Sequence, residues 1–199
     1  MSMDTEELQN LIASRRTCYL FNPKETMPLL DDAVYRCLNA AIWAPNHKLT
    51  QPWRFWVLGA QSQSELAEVY AQLRADKRAQ PQSEAHQSIY QAAIEKFHKF
   101  PRIVLVGQVL DEDEVRRKED YAACACAIQN LQLIAWQQGI GVQWSTGPIL
   151  QSDVTYRMLG ESRDNVELIG ALYMGYLKGD CNTQNAKRKP VEEVSRWLP

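Results

Sequence analysis

An alanine-rich run over residues 121–138 constrains the fold more than any other segment of this chain. Alanine, isoleucine and leucine recur through the run on several faces of a helix, and Gly139 ends it. A helix that is apolar on several faces must be covered on several faces. We therefore expect this helix to be deeply buried, either within the chain or against a second copy, since small side chains permit both contacts.

Helical and strand periodicities are interspersed along the rest of the chain. They predict helices over 6–14, 28–44, 64–74, 89–100 and 154–159, and strands over 53–58, 103–106, 141–144 and 166–176. The acidic block 111–114, followed by bases at 116–118, is typical of a solvated helix start. The polar stretch 76–86 is a candidate mobile lid. No glycine fingerprint for dinucleotides or phosphates occurs, which argues against a Rossmann fold.

Length and composition favour a single globular domain over residues 1–199. A net charge of −2 supplies no field that would attract nucleic acid or an anionic membrane, so small-molecule chemistry is the better hypothesis. No secretory signal and no apolar run of membrane-spanning length occur, and we expect a soluble, cytoplasmic protein. The five cysteines are an odd set without metal-site spacing, which indicates reduced thiols in packing roles.

Three short islands concentrate the chemistry of this chain. They are Arg15-Arg16-Thr17, the loop 44–53 that begins where Pro45 ends a helix, and the basic segment 187–190. A phosphomonoester calls for guanidinium forks and hydroxyl donors, and the first and third islands supply both. Each basic run alone is more often ordinary surface charge, but the two together indicate a phosphate site.

These islands, with 139–144 and 172–176, resemble the FMN-dependent nitroreductase family, and most closely its small members with a Pro-x-His-Lys loop. The resemblance spans almost the whole chain. It implies an α+β fold in which helices flank a mostly antiparallel central sheet. It also implies an intertwined homodimer in which the C-terminal tail, 178–199, reaches the partner subunit.

The resemblance also implies a set of FMN-binding residues. The phosphate and ribityl positions match Arg15, Arg16, Thr17 and Arg188. The flavin-ring positions match Trp43, His47 and Gln51, and a further contacting segment from the other subunit matches Trp144, Ser145 and Thr146. Tyr19 departs from the lysine or arginine that many members place near flavin N1, so His47 and Lys48 are the candidates to replace that cation. No catalytic side chain and no metal ligand is predicted.

The function implied is hydride transfer from NAD(P)H, through flavin N5, to a nitro-aromatic, quinone or similar small acceptor by a ping-pong cycle. Two alternatives stay open on the same scaffold. One is another FMN enzyme, such as a dehalogenase, a dehydrogenase or a flavin-fragmenting enzyme. The other is a flavin-binding sensor without catalysis.

Overall fold

The computed structural model describes residues 4–179 and 187–199. Its helices are α1 (Thr5–Ser14), α2 (Asp31–Ala41), α3 (Ala60–Asp76), α4 (Glu84–His98), α5 (Glu114–Gln137), α6 (Asp153–Leu159) and α7 (Val191–Val194). Its strands are β1 (Trp53–Val57), β2 (Arg102–Val109), β3 (Ile140–Ser145) and β4 (Val166–Tyr176). Every helix and strand predicted from periodicity is present, and most helices extend further than predicted. The prediction is wrong for the ends of α2, which begins at Asp31 and not at Pro28, and ends at Ala41 and not at Ala44.

The four strands form one antiparallel sheet in the order β1-β2-β4-β3. The two inner strands, β2 and β4, are buried along almost their whole length. This arrangement confirms the prediction of a mostly antiparallel sheet flanked by helices. It also confirms that the apolar run 103–106 is a central strand.

Alternate residues of the inner strands point into two separate helical layers. On one face, Val104 and Leu172 pack in a cluster with residues of α2 and α5. On the other face, Leu105 and Tyr173 pack with residues of α3 and α4, including Phe97. The sheet is therefore the middle of three layers, and its ends remain open for sites.

Helix α5 is one continuous helix of 24 residues, which begins at the acidic block and not at the alanine-rich run. The Asp113 side chain caps its N-terminus by accepting from the Val115 backbone N–H. Along the helix Cys124 is buried, and burial raises the pKa of its thiol to about 12. Cys126 is exposed, so the prediction that both thiols are packing residues is wrong for Cys126 in the single chain.

The stretch 76–86, predicted to be a mobile lid, is partly helical. Asp76 still belongs to α3, and α4 already begins at Glu84. His86, in the first turn of α4, contacts Asp76 through a 2.8 Å hydrogen bond that ties the two helices together. Within the described ranges, no helix is both long and apolar enough to cross a lipid bilayer.

Candidate functional site

The first island lies where α1 ends. Asp4 and Glu7 close the start of this helix with a capping box, and the backbone turns extended at Arg15. The Arg15 guanidinium donates to the Gln132 side chain of α5 at 3.3 Å, which fixes the end of α1 on the core helix. Thr17 then forms a bridge with Val142 of β3. The island is thus held between α5 and the sheet.

Three arginines influence one another electrostatically at this island. Burial lowers the pKa of Arg15, and the neighbouring charges of Arg16 and Arg188 lower it further. Arg188 follows the described sheet by many residues, so only the tertiary structure brings it to α1. The buried Nε atoms of Arg15 and Arg16 have no hydrogen-bond partner within the described ranges. Neighbouring cations with unused donors form an arrangement that an anion would stabilise.

The middle island is a tight loop between α2 and β1. Lys48, Leu49 and Gln51 all have positive φ, which is uncommon for residues other than glycine. The Asn46 side chain bridges the loop by accepting from the Gln51 backbone N–H at 3.0 Å. Trp43, at the entry to the loop, is 81% exposed. A strained loop beside an exposed aromatic is a common setting for a binding site.

Two adjacent acids of α5 hold the middle island. Glu119 contacts His47 Nδ1 at 2.7 Å on the surface. Asp120 is only 3% exposed and accepts a 2.6 Å hydrogen bond from the Thr50 hydroxyl. Sequence reasoning missed both acids as site residues. The acid pair just before the alanine-rich run was the available signal, because a carboxylate there faces neighbouring elements.

The first and middle islands contact α5 at different positions along the helix axis. Arg15 meets the helix at Gln132, whereas Thr50 meets it at Asp120. Twelve residues of α-helix correspond to about 18 Å along the axis. Within one chain, therefore, His47 and the rest of the middle island are not brought together with the arginine cluster, whereas Trp43 lies in a pocket with Ile134 and Gln138 near the C-terminal end of α5.

The segment from Trp144 to Thr146 ends β3. The Trp144 indole N–H donates to the Ile169 carbonyl at 3.2 Å and lies over Gly170, where a Cβ would collide with it. The Ser145 side chain hydrogen-bonds Tyr173, whose pKa is raised by burial. Thr146 is exposed and lines a cleft of about 510 Å³.

This segment belongs beside the first island of its own chain. Val142, two residues before Trp144, is the residue that pairs with Thr17. The expectation that Trp144, Ser145 and Thr146 contact the flavin from the other subunit stays a prediction, since this pairing shows only which part of their own chain they lie near. The middle island lies apart from the arginine cluster.

Comparison with known sequences gives one consistent result. A sequence model of the nitroreductase family matches residues 12–176. A Bacillus subtilis (strain 168) protein with the provisional name NAD(P)H nitroreductase YfhC is 30% identical over 187 residues, which are 94% of this chain and 91% of that protein. An Escherichia coli (strain K12) protein, with the provisional name NAD(P)H nitroreductase YdjA, is 27% identical over 175 residues, 87% of this chain and 88% of that protein.

Solved structures agree with these sequence matches. A nitroreductase-like family protein from Bacillus cereus superposes with a TM-score of 0.81 at 27% identity, over 100% of this chain and 98% of that one. The FMN-dependent nitroreductase NfnB from Mycobacterium smegmatis, solved with NADPH, superposes with a TM-score of 0.76 at 18% identity, over 96% and 98% of the two chains. At that lower identity the second likeness concerns the fold alone.

Proposed function

Because this chain belongs to the nitroreductase family, we propose that it is an FMN-dependent oxidoreductase that takes electrons from NAD(P)H. The names of the Bacillus subtilis and Escherichia coli relatives, which specify an NAD(P)H nitroreductase, support this donor. A cytoplasmic location, as expected from the sequence, is part of the same proposal.

The observation that carries the proposal is the pair of half-buried arginines, Arg15 and Arg16, at the end of α1, with Arg188 near enough for its charge to lower the pKa of Arg15. Two of these side chains keep buried Nε donors without a partner in the described parts of the chain. A phosphomonoester brings three acceptor oxygens and up to two negative charges, which would satisfy those donors and relieve the mutual repulsion of the cations. The donor set therefore fits the phosphate of FMN, with the Thr17 hydroxyl as a further donor.

Trp144, Ser145 and Thr146 are the proposed wall for the flavin ring. The hydrogen bonds from Trp144 to Ile169 and between Ser145 and Tyr173 hold this wall rigid. Rigid groups around a cofactor keep it oriented and exclude competing reactions. When bound, FMN would supply the redox chemistry between NAD(P)H and a nitro-aromatic, quinone or similar acceptor, and this wall would orient its ring.

We further propose that the site is completed by a second copy of the chain. The loop that contains His47 and Gln51 contacts α5 about 18 Å along the helix axis from the arginine cluster of the same chain. A two-fold dimer can place this loop of one subunit beside the arginine cluster of the other. The exposed indole of Trp43 then becomes a contact to the flavin and to the partner.

Anaerobic absorbance spectroscopy tests the proposal. Protein reconstituted with FMN should show a flavin band between 300 and 550 nm that bleaches on addition of NADH or NADPH. Addition of a nitro-aromatic or quinone should then restore the band. A band that persists with both donors would favour the sensor or another FMN enzyme, and protein that does not retain FMN would contradict the cofactor assignment.

A further inference from the structure

A large cleft lies beside the segment that follows the first island in the chain. Its volume is about 770 Å³, and it is formed by residues 19–25, the C-terminal end of α4 and the residue Lys178 after β4. Phe21 and Phe100 contribute aromatic rings to its lining, and Phe100 is only 8% exposed. These rings belong to a packed aromatic group, because Phe100 stacks on Tyr173 at 4.1 Å and meets Phe21 edge-on at 6.2 Å. The apolar lining is thus rigid.

Basic side chains dominate the charge of this cleft. Its lining includes Lys24, Lys96, Lys99 and Lys178, together with His98, against a single acid, Glu25. In a chain with a net charge of −2, this is a marked local excess of positive charge. None of the four lysines forms an ion pair with another described residue. Their charges are therefore available to a ligand.

No single feature of secondary structure explains why the lysines are at this cleft. Lys96 lies in the last turn of α4, where a cation ordinarily complements the helix dipole. That explanation does not reach Lys24 or Lys178, which come from two other segments of the chain. Lys24 is also half-buried in spite of its charge. Cations from three segments around one apolar floor are better explained by a common ligand.

We propose that this cleft binds a small aromatic anion, such as an aromatic carboxylate. The ring would pack on the apolar lining beside Phe21 and Phe100, and the anionic group would face the lysines. Burial of one ring provides apolar contact area, and the charge provides selectivity between otherwise similar ligands. The inference does not depend on the proposed function, since it concerns binding and requires no electron transfer.

Paired titrations with benzoate and benzamide test the inference. The two molecules have nearly the same size and differ in charge, and neither accepts electrons from NAD(P)H. Isothermal titration calorimetry on the full-length protein, with and without FMN, should give benzoate a Kd roughly tenfold lower than that of benzamide. The difference between the two Kd values should become smaller at about 1 M salt, where the Debye length is about 3 Å. Equal affinity for the two ligands at low salt would overturn the proposal.

A matched pair of double variants locates the site. Lys96→Ala with Lys99→Ala removes two cations from the cleft, whereas Lys77→Ala with Lys118→Ala removes two exposed cations elsewhere. Both variants carry the same net charge, so a general electrostatic effect would act on them equally. The first variant should bind benzoate roughly tenfold more weakly and benzamide with unchanged affinity. The second variant should bind both ligands with unchanged affinity. Equal losses in the two variants would contradict a site in this cleft.

Leu20→Ala tests the apolar part of the same cleft. Leu20 lines the cleft and is 68% exposed, so its truncation leaves the core intact. Loss of ring contact should weaken benzoate and benzamide alike, by about threefold. An unchanged affinity for both ligands would show that the ring does not bind where we place it. These outcomes are separate from the bleaching of the flavin band, because benzoate binding is measured without turnover.

Discussion

At the scale of single residues, the candidate cofactor site depends on neighbouring arginines whose positive charges repel one another. Burial and the charges of Arg16 and Arg188 all lower the pKa of Arg15, which means that each of them disfavours its charged form. Such clusters persist when an anion compensates them. Arg15 has in addition a structural contact to Gln132, so Arg16 and Arg188 are the better positions for a test.

Arg16→Ala combined with Arg188→Ala should weaken FMN binding strongly. Each hydrogen bond to a charged group contributes about 1.5 to 3 kcal/mol, so the double variant should bind FMN about a hundredfold or more weakly. Titration of the FMN-free protein, followed by quenching of flavin fluorescence, measures this change. Arg78→Ala with Arg157→Ala removes the same charge at exposed positions and is the control. An unchanged FMN affinity in the first variant would remove the phosphate assignment.

At the scale of elements, the loop between α2 and β1 is held by α5 and not by its own sequence alone. Three residues with positive φ make its backbone unfavourable by itself. Glu119 and Asp120, which are neighbours in sequence, bind it in different surroundings: the first on the surface, the second in the interior. The difference in burial predicts a difference in energy.

Asp120→Ala should lower the free energy of unfolding by about 1.5 to 3 kcal/mol, because the half-buried Thr50 hydroxyl loses a charged acceptor. Glu119→Ala should lower it by less than about 1 kcal/mol, since it removes an exposed hydrogen bond with His47. Urea denaturation followed by circular dichroism gives both values. Similar decreases in the free energy of unfolding of the two variants would mean that burial does not decide how strongly these acids stabilise the loop.

The connection between α3 and α4 should respond to acid. Hydrogen bonds from His86 and then from Gln72 lower the pKa of Asp76 in the folded protein. A carboxyl whose folded pKa is depressed stabilises the fold above its unfolded pKa of about 3.9, and this contribution is lost as pH falls through the folded value. Urea midpoints at pH 5 and pH 3 should therefore differ less in Asp76→Asn than in the parent. Asp32→Asn, at an exposed position of α2, should retain the parent's pH dependence.

At the scale of the whole molecule, the single chain leaves several large apolar side chains exposed, and the tryptophans among them lie beside the middle island and in the tail. Trp43 is 81% exposed beside the middle island, and in the tail Trp197 and Leu198 are 96% and 85% exposed. Exposed aromatic and aliphatic side chains of this size are typical of an interaction surface. The proposed homodimer would cover both places.

Light scattering after size exclusion should give twice the 22.8 kDa mass of the chain. Trp197→Ala with Leu198→Ala should raise the dimer dissociation constant at least tenfold, because the tail loses its two largest apolar contacts. Val115→Ala with Val154→Ala removes exposed apolar area from α5 and α6 and should leave the dimer intact. A monomeric parent protein would contradict the shared site.

The elements of this fold were predictable because they are encoded locally. Strand β4 has the bounds that its apolar and glycine-containing run predicted, and the buried central strand β2 includes the predicted 103–106. The prediction of a lid failed because it was based on the polarity of the stretch and not on what its polar side chains contact. The polar stretch 76–86 joins two helices across a short turn, and hydrogen bonds from His86 and Gln72 satisfy the carboxylate of Asp76.

The sequence by itself determined the order of helices and strands, the burial of one face of α5 and the residue types of a phosphate site, since periodicity and side-chain chemistry are local properties. Only the tertiary structure decided which distant residues meet. It brought Arg188 to Arg15, set Asp120 under Thr50, and gathered Lys24, Lys96 and Lys178 around one cleft. Such meetings depend on how whole helices pack against the sheet, and no local pattern specifies that packing.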